Sequence, residues 1–130
     1  MTKHILIIIV VVLLSSCSKQ SYNGISVKNW KANFEEKSVT LSFEEFSGST
    51  FRAINLEDKS DINLVYNTSL ENGSIKLIVL DKDENKVWES SNIKSIENKN
   101  TLLKLNQKGN LKMVIKGNNA TGSLKVNWDI

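Results

Sequence analysis

Carboxylates and aromatic rings are the side chains through which this sequence could do chemistry, and their spacing limits what that chemistry can be. Acids come together at Glu35-Glu36, Glu44-Glu45 and Asp81/Asp83/Glu84, and a pair of carboxylates flanking a glycosidic bond can hydrolyse it. Successive residues of a strand point to opposite faces, so Glu44 and Glu45 cannot share a substrate unless a bulge intervenes. Asp81-Lys82-Asp83-Glu84-Asn85 opens like a calcium-binding loop, but Lys86 stands where the sharp-turn glycine belongs and Asn92 where the bidentate glutamate belongs. A polar hairpin turn between Leu80 and Val87 explains the same residues without a metal. There is no Gly-rich phosphate loop. The rings that could stack on a sugar are Trp30, Trp88, Trp128, Tyr22 and Tyr66.

The single histidine, His4, and the single cysteine, Cys17, both lie in the first 17 residues. Met1-Thr2-Lys3-His4 is a short basic head, and the apolar run from Ile5 to Leu14 is too short to span a bilayer, which takes roughly 20 residues. Leu14-Ser15-Ser16-Cys17 closes that run and closely resembles the lipobox of bacterial lipoproteins. The resemblance implies cleavage before Cys17 after its sulfur has received a diacylglycerol, with palmitate-type acyl chains then anchoring the new N-terminus. Ser18 in the next position fits sorting to an outer membrane, if the cell has one. Residues 1–16 are thus expected to be a lipoprotein signal peptide and residues 17–24 a lipidated N-terminus and short tether. The domain proper is expected over residues 25–130, extracytoplasmic, on the cell membrane or the outer membrane. With His4 removed and Cys17 acylated, no Ser-His, Cys-His or zinc arrangement can be built in what remains. No disulfide is possible either, so the core alone holds the fold.

From Ile25 onward the apolar period is two, and helical spacing is not sustained over any window. Val39, Leu41 and Phe43 alternate with polar residues, as do Ile62, Leu64 and Tyr66. Ile75, Leu77 and Val79 belong to a stretch that is apolar on both faces, as an interior strand would be. Leu103 and Leu105, then Leu111, Met113 and Ile115, then Leu124, Val126, Trp128 and Ile130 complete the series. Between them sit turn formers at Ser47-Gly48-Ser49, Glu71-Asn72-Gly73, Asp81 to Asn85, Lys108-Gly109-Asn110 and Gly117-Asn118-Asn119. The pattern predicts about eight or nine short antiparallel strands in an all-β sandwich of jelly-roll-like order. The phase changes between Val27 and Trp30, which predicts a bulge or break there. Trp30, with Ala32 and Phe34 in phase, is expected inside, as are Trp128 and Tyr66; Trp88, beside a charged turn, is expected to be half exposed and is the candidate ligand surface.

Gly73-Ser-Ile-Lys-Leu-Ile-Val-Leu-Asp81, Lys86-Val-Trp-Glu89, Gly109 to Gly117 and Ala120 to Trp128 look like the C-terminal half of small β-sandwich domains. Such domains occur in bacterial lipoproteins of unknown function and in carbohydrate-binding and prepeptidase-type sandwiches. The chain carries 17 Lys+Arg against 14 Asp+Glu, a net +3, too weak and dispersed for a nucleic-acid footprint. The sequence therefore predicts a monomeric, lipid-anchored, non-enzymatic domain with no cofactor and no metal, acting through protein contacts or envelope structure. The alternative is a carbohydrate-binding module with a glycan partner. A cluster of exposed rings would favour the sugar, and three buried tryptophans the protein partner.

Overall fold

A computed structural model describes residues 25–56, 61–105 and 109–129. Cys17, the signal peptide and the tether lie outside the described residues. Among the described residues six strands follow one another: β1 (Ser26–Glu35), β2 (Ser38–Asn55), β3 (Asp61–Leu80), β4 (Lys86–Glu89), β5 (Glu97–Lys104) and β6 (Asn110–Asp129). All pairings are antiparallel. Their order is β1-β2-β6-β3-β4, with β5 on the remaining stretch of β3.

Three of these strands are 18 to 20 residues long, and each bends at the same level. The register shifts between Phe43 and Gly48 of β2, between Leu70 and Ser74 of β3, and across the facing residues 117–122 of β6. On one side of the bends β1, β2, β6, β3 and β5 form a first half-sheet; on the other β2, β6, β3 and β4 form a second. The halves face each other. The Tyr66 ring of the first lies 6.3 Å from the Trp88 ring of the second, and the Arg52 guanidinium of the second lies 5.4 Å from the Trp128 ring of the first. The result is an antiparallel β-sandwich in which β6 is inserted between β2 and β3, as a jelly-roll-like order requires.

The turn formers expected to separate short strands at Ser47-Gly48-Ser49, Glu71-Asn72-Gly73 and Gly117-Asn118-Asn119 are instead these bends, and six strands replace eight or nine. Counting each half of a bent strand separately restores the expected number. One sharp constraint is Gly122, at φ +147, where a Cβ would land on the Ser69 carbonyl oxygen of the neighbouring strand. Only glycine lets β6 pass that close to β3 while it turns.

The predicted inward residues meet in the seam: Val39, Leu41, Phe43, Ile62, Leu64, Tyr66, Ile75, Leu77, Val79, Leu103, Leu105, Leu111, Met113, Ile115, Leu124, Val126 and Trp128 are all buried. Each large aliphatic or aromatic side chain so placed contributes roughly 1.5–3 kcal/mol. The buried core residues run from Val39 to Trp128. Two buried hydroxyls tie the β4–β5 connection to β3. Ser90 Oγ accepts from the Leu77 amide at 2.9 Å, and Thr68 Oγ1 donates to the Ser95 carbonyl at 3.0 Å and accepts from the Glu97 amide at 3.1 Å.

Strand β1 has the expected break, with register shifts on both sides of Lys28 and Asn29 at φ +50. The burial expected along it is corrected. Trp30 is only partly buried, Ala32 is exposed and Phe34 is 51% exposed. The first half-sheet extends one strand beyond the second, because β1 has no partner layer opposite it. Trp30, near the bend, still packs on Phe43 and Phe46, with ring centroids 6.3 and 5.3 Å away, but Phe34 overhangs the rim.

Candidate functional site

The overhang makes the rim a site. Arg52, on the inner face of the second half of β2, has Phe34 on one side and Trp128 on the other, its guanidinium 5.4 Å from each ring centroid. The same guanidinium donates to the Glu35 carbonyl and, at 3.5 Å, to that of Glu36. Held by two rings and two carbonyls, the Arg52 head has little freedom left. Next to it an open depression of about 440 Å³ is lined by Glu35, Glu36, Lys37, Ser38, Asn127 and Trp128. The β1–β2 turn forms one wall, fixed to the end of β6 by the Trp128 amide donating to the Lys37 carbonyl at 3.0 Å. The volume is within the range of small-ligand sites, and the lining combines an aromatic edge with convergent donors and acceptors.

The depression opens onto the outer face of the first half-sheet. Glu35 pairs in register with Ser38, Ser38 with Asn127, Asn127 with Val65 and Val65 with Asn100. The adjacent row on the same face runs Asn33, Thr40, Lys125, Asn67, Asn98. Strands are about 4.8 Å apart, so each row crosses roughly 19 Å of surface. The side chains of Asn67, Asn98, Asn100 and Asn127 are bonded to no other described residue, and each amide offers two donors and an acceptor.

The residues singled out from the sequence lie elsewhere. Trp88 points into the seam at the β4 edge, half-buried against Tyr66, and takes no part in the depression. Burial, with the charge of Glu97 nearby, pushes the Tyr66 hydroxyl above its ordinary range. A bulge does intervene at Glu44-Glu45, where Glu45 sits at φ +52, but β1 occupies both acids. Asn29 Nδ2 donates to Glu44 at 3.0 Å and Lys28 pairs with Glu45 at 2.8 Å. Their hydrogen bond raises the pKa of Lys28. At the β3–β4 turn Asp81 Oδ1 accepts from the amides of Asp83 and Asn85, each at 2.8 Å. That carboxylate closes the turn, and no cluster of three or more His, Cys, Asp or Glu that could hold a metal stands among the described residues. Sequence reasoning missed Arg52 and Asn127, because Phe34, Arg52 and Trp128 are brought together only by strand pairing. The one available signal was the excess of asparagine in alternating positions of the strands that form the outer face.

No protein-family model matches the chain, and no curated protein does. Among solved structures it is similar to a module described as "CBM4 structure and function", with a TM-score of 0.54 at 6% identity over 85% of this chain and 79% of that one. It is similar also to TmCBM61 in complex with β-1,4-galactotriose, with a TM-score of 0.49 at 16% identity over 87% of this chain and 92% of the other. A family 29 carbohydrate binding module complexed with mannohexaose gives a TM-score of 0.44 at 14% identity, over 82% and 79% of the two chains. At these identities the first of them carries the β-sandwich fold and nothing finer.

Proposed function

We propose that this chain is a non-catalytic, glycan-binding β-sandwich held on the extracytoplasmic side of a bacterial membrane by a lipid on Cys17. The observation that carries the glycan reading is the set of amides Asn67, Asn98, Asn100 and Asn127, bonded to no other described residue, on a face that leads into the depression lined by Asn127 and Trp128 beside Arg52. A pyranose presents hydroxyls that need paired donors and acceptors, and this surface supplies them. The exposed rings do not form one cluster: Trp128 is buried, Trp30 and Trp88 are half-buried, and Phe34 and Phe51 lie on different faces. It is the amides that favour sugar over a protein partner. The anchor rests on Leu14-Ser15-Ser16-Cys17.

The test is affinity electrophoresis of residues 25–130 through gels containing soluble glucans, mannans or galactans, followed by calorimetry on any that retard it. Asn127→Ala and Arg52→Lys should each weaken binding about tenfold, the scale of one or two lost hydrogen bonds, while Trp88→Ala leaves it unchanged. Retardation by none of the polysaccharides, or binding indifferent to Asn127, would reject the site. For the anchor, intact-mass analysis of membrane-bound protein should show a diacylated chain beginning at Cys17, and an unprocessed precursor for Cys17→Ser.

A further inference from the structure

The outer face of the second half-sheet, opposite the amide rows, has a different composition. Phe51, Val114 and Ile78 lie side by side in register across β2, β6 and β3, with Phe51 41% exposed. Lysines surround this apolar row. Lys112 holds its ammonium 4.9 Å above the Phe51 ring, Lys86 stands across from Leu80, and Lys76 and Lys116 face each other directly across β3 and β6. Like charges directly opposite repel. Lys76 is partly compensated by Glu89 at 3.3 Å, which Lys86 also binds at 3.2 Å, and Lys112 by Glu84 at 3.3 Å; Lys116 pairs with no described acid. Between the two facing lysines lies an open depression of about 210 Å³, lined also by Ser74, Asn92 and Asn118. Two ammonium groups and three further donors around one hollow fit an oxyanion.

We propose that this face rests on an anionic phospholipid surface, with headgroup phosphates in the Lys76–Lys116 hollow and Phe51, Val114 and Ile78 against the acyl boundary. Charge complementarity supplies half of the argument: four lysines against two glutamates on one face. The apolar row supplies the other half, since a soluble polyanion would leave it wet, and a second copy of the chain would bring the lysines onto one another. A bilayer satisfies both features at once, with lysine stems lying along apolar surface and their heads at the phosphates. The described chain begins close by, since Ser26 pairs with Ser47 and Ser49 is the register partner of Lys116. The sandwich would then sit with its amide rows turned away from the membrane. The inference does not depend on Cys17, because the face can be tested on a chain that lacks it.

The experiment is co-sedimentation of residues 25–130, confirmed folded by a cooperative melt, with vesicles of phosphatidylcholine alone or with about one-third phosphatidylglycerol. Partition onto the anionic vesicles should exceed that onto neutral ones at least about tenfold and should fall as salt shortens the Debye length. The double variant Lys76→Gln/Lys116→Gln should lose about 30-fold, roughly fivefold per lysine near the surface. Phe51→Ser should lose several-fold more on vesicles than on a soluble polyanion, and Lys104→Gln on the opposite half-sheet should change nothing. Equal partition onto both vesicle types overturns the proposal, as does a double variant that binds like the parent. Saturable binding of inorganic phosphate without vesicle affinity overturns it too, because the hollow would then be an ion site and the apolar row irrelevant.

Discussion

Gly122→Ala should be among the most damaging single-methyl additions in this protein, and the size of the effect can be worked from the bend. Gly122 sits at φ +147, where its added Cβ would strike the Ser69 carbonyl oxygen and come within 2.8 Å of Leu70 Cα and 3.0 Å of the Ser69 carbonyl carbon. All three are backbone atoms of β3, the register partner of β6 at this point, so no side chain can swing aside to make room. The backbone conformation alone costs an alanine roughly 1–3 kcal/mol. Overpacking against a fixed neighbour adds roughly another 1–3. The expected loss is about 2–6 kcal/mol out of the ~5–15 kcal/mol available to such a domain. Gly109→Ala separates the two causes, since Gly109 is also at positive φ, +112, but among the described residues its Cβ would meet only the Lys82 side chain, at 3.9 Å. It should therefore show the conformational cost alone. Urea denaturation of both variants in residues 25–130, followed by tryptophan fluorescence at constant m, gives the comparison. Equal losses would refute the reasoning, because the close passage of β6 against β3 could then not be what the glycine permits.

Trp128→Ala removes a ring that closes the seam under Arg52 and should cost about 3–5 kcal/mol, whereas half-buried Trp88→Ala should cost distinctly less; denaturation of the two variants ranks them. Tyr66 is the only tyrosine in residues 25–130, and its raised pKa means that the folded state disfavours the phenolate. Stability should be intact below the ordinary tyrosine pKa of about 10 and fall as pH rises through the folded value, a decline that Tyr66→Phe abolishes. Glu89 titrates the other way: hydrogen bonds from Lys86 and Lys76 lower its pKa. Its contribution should be present above the ordinary carboxylate range and fade as pH falls through the folded value, with Glu89→Gln flattening that acid limb of the melting curve. Calcium and EDTA should leave the melting temperature alike, since Asp81 Oδ1 already accepts two backbone amides and a site that does not exist adds nothing to RT ln(1 + [L]/Kd).

Alternation is a local property, and wherever it alone decided the outcome the sequence was legible. Ile75, Leu77 and Val79, or Leu124, Val126 and Trp128, are buried because period two turns every second residue to one face, and both faces of the seam are covered along most of the strands. Legibility failed where burial depends on what lies opposite. Phe34 has the same phase as Val39 across the ladder but no second layer above it, and nothing in β1 states that the facing sheet stops at β2. The bends failed for a related reason. Gly73 and Asn119 carry the positive φ that a reversal would need, and such residues make the chain turn locally without saying whether it then folds back on itself. Here the ladders of β2, β3 and β6 resume beyond the irregularity, so the same residues bend a strand instead of ending it.

The candidate site shows the same limit in sharper form. Asn67, Asn98, Asn100 and Asn127 look in sequence like ordinary solvated strand positions, and Arg52 like one more surface cation. Register brings the first four into adjacent rows on one face, and the overhang of β1 puts Phe34 on one side of Arg52 and Trp128 on the other. A strand slip of one residue would send every one of those amides into the core and every core residue out. The stability of the apolar seam is therefore what holds the polar face in place, and core and surface are two readings of one register. It follows that Trp128→Ala, made for its effect on stability, should also loosen the wall of the depression that Trp128 lines. Asn127→Ala, by contrast, should weaken glycan binding while leaving the melting temperature nearly unchanged.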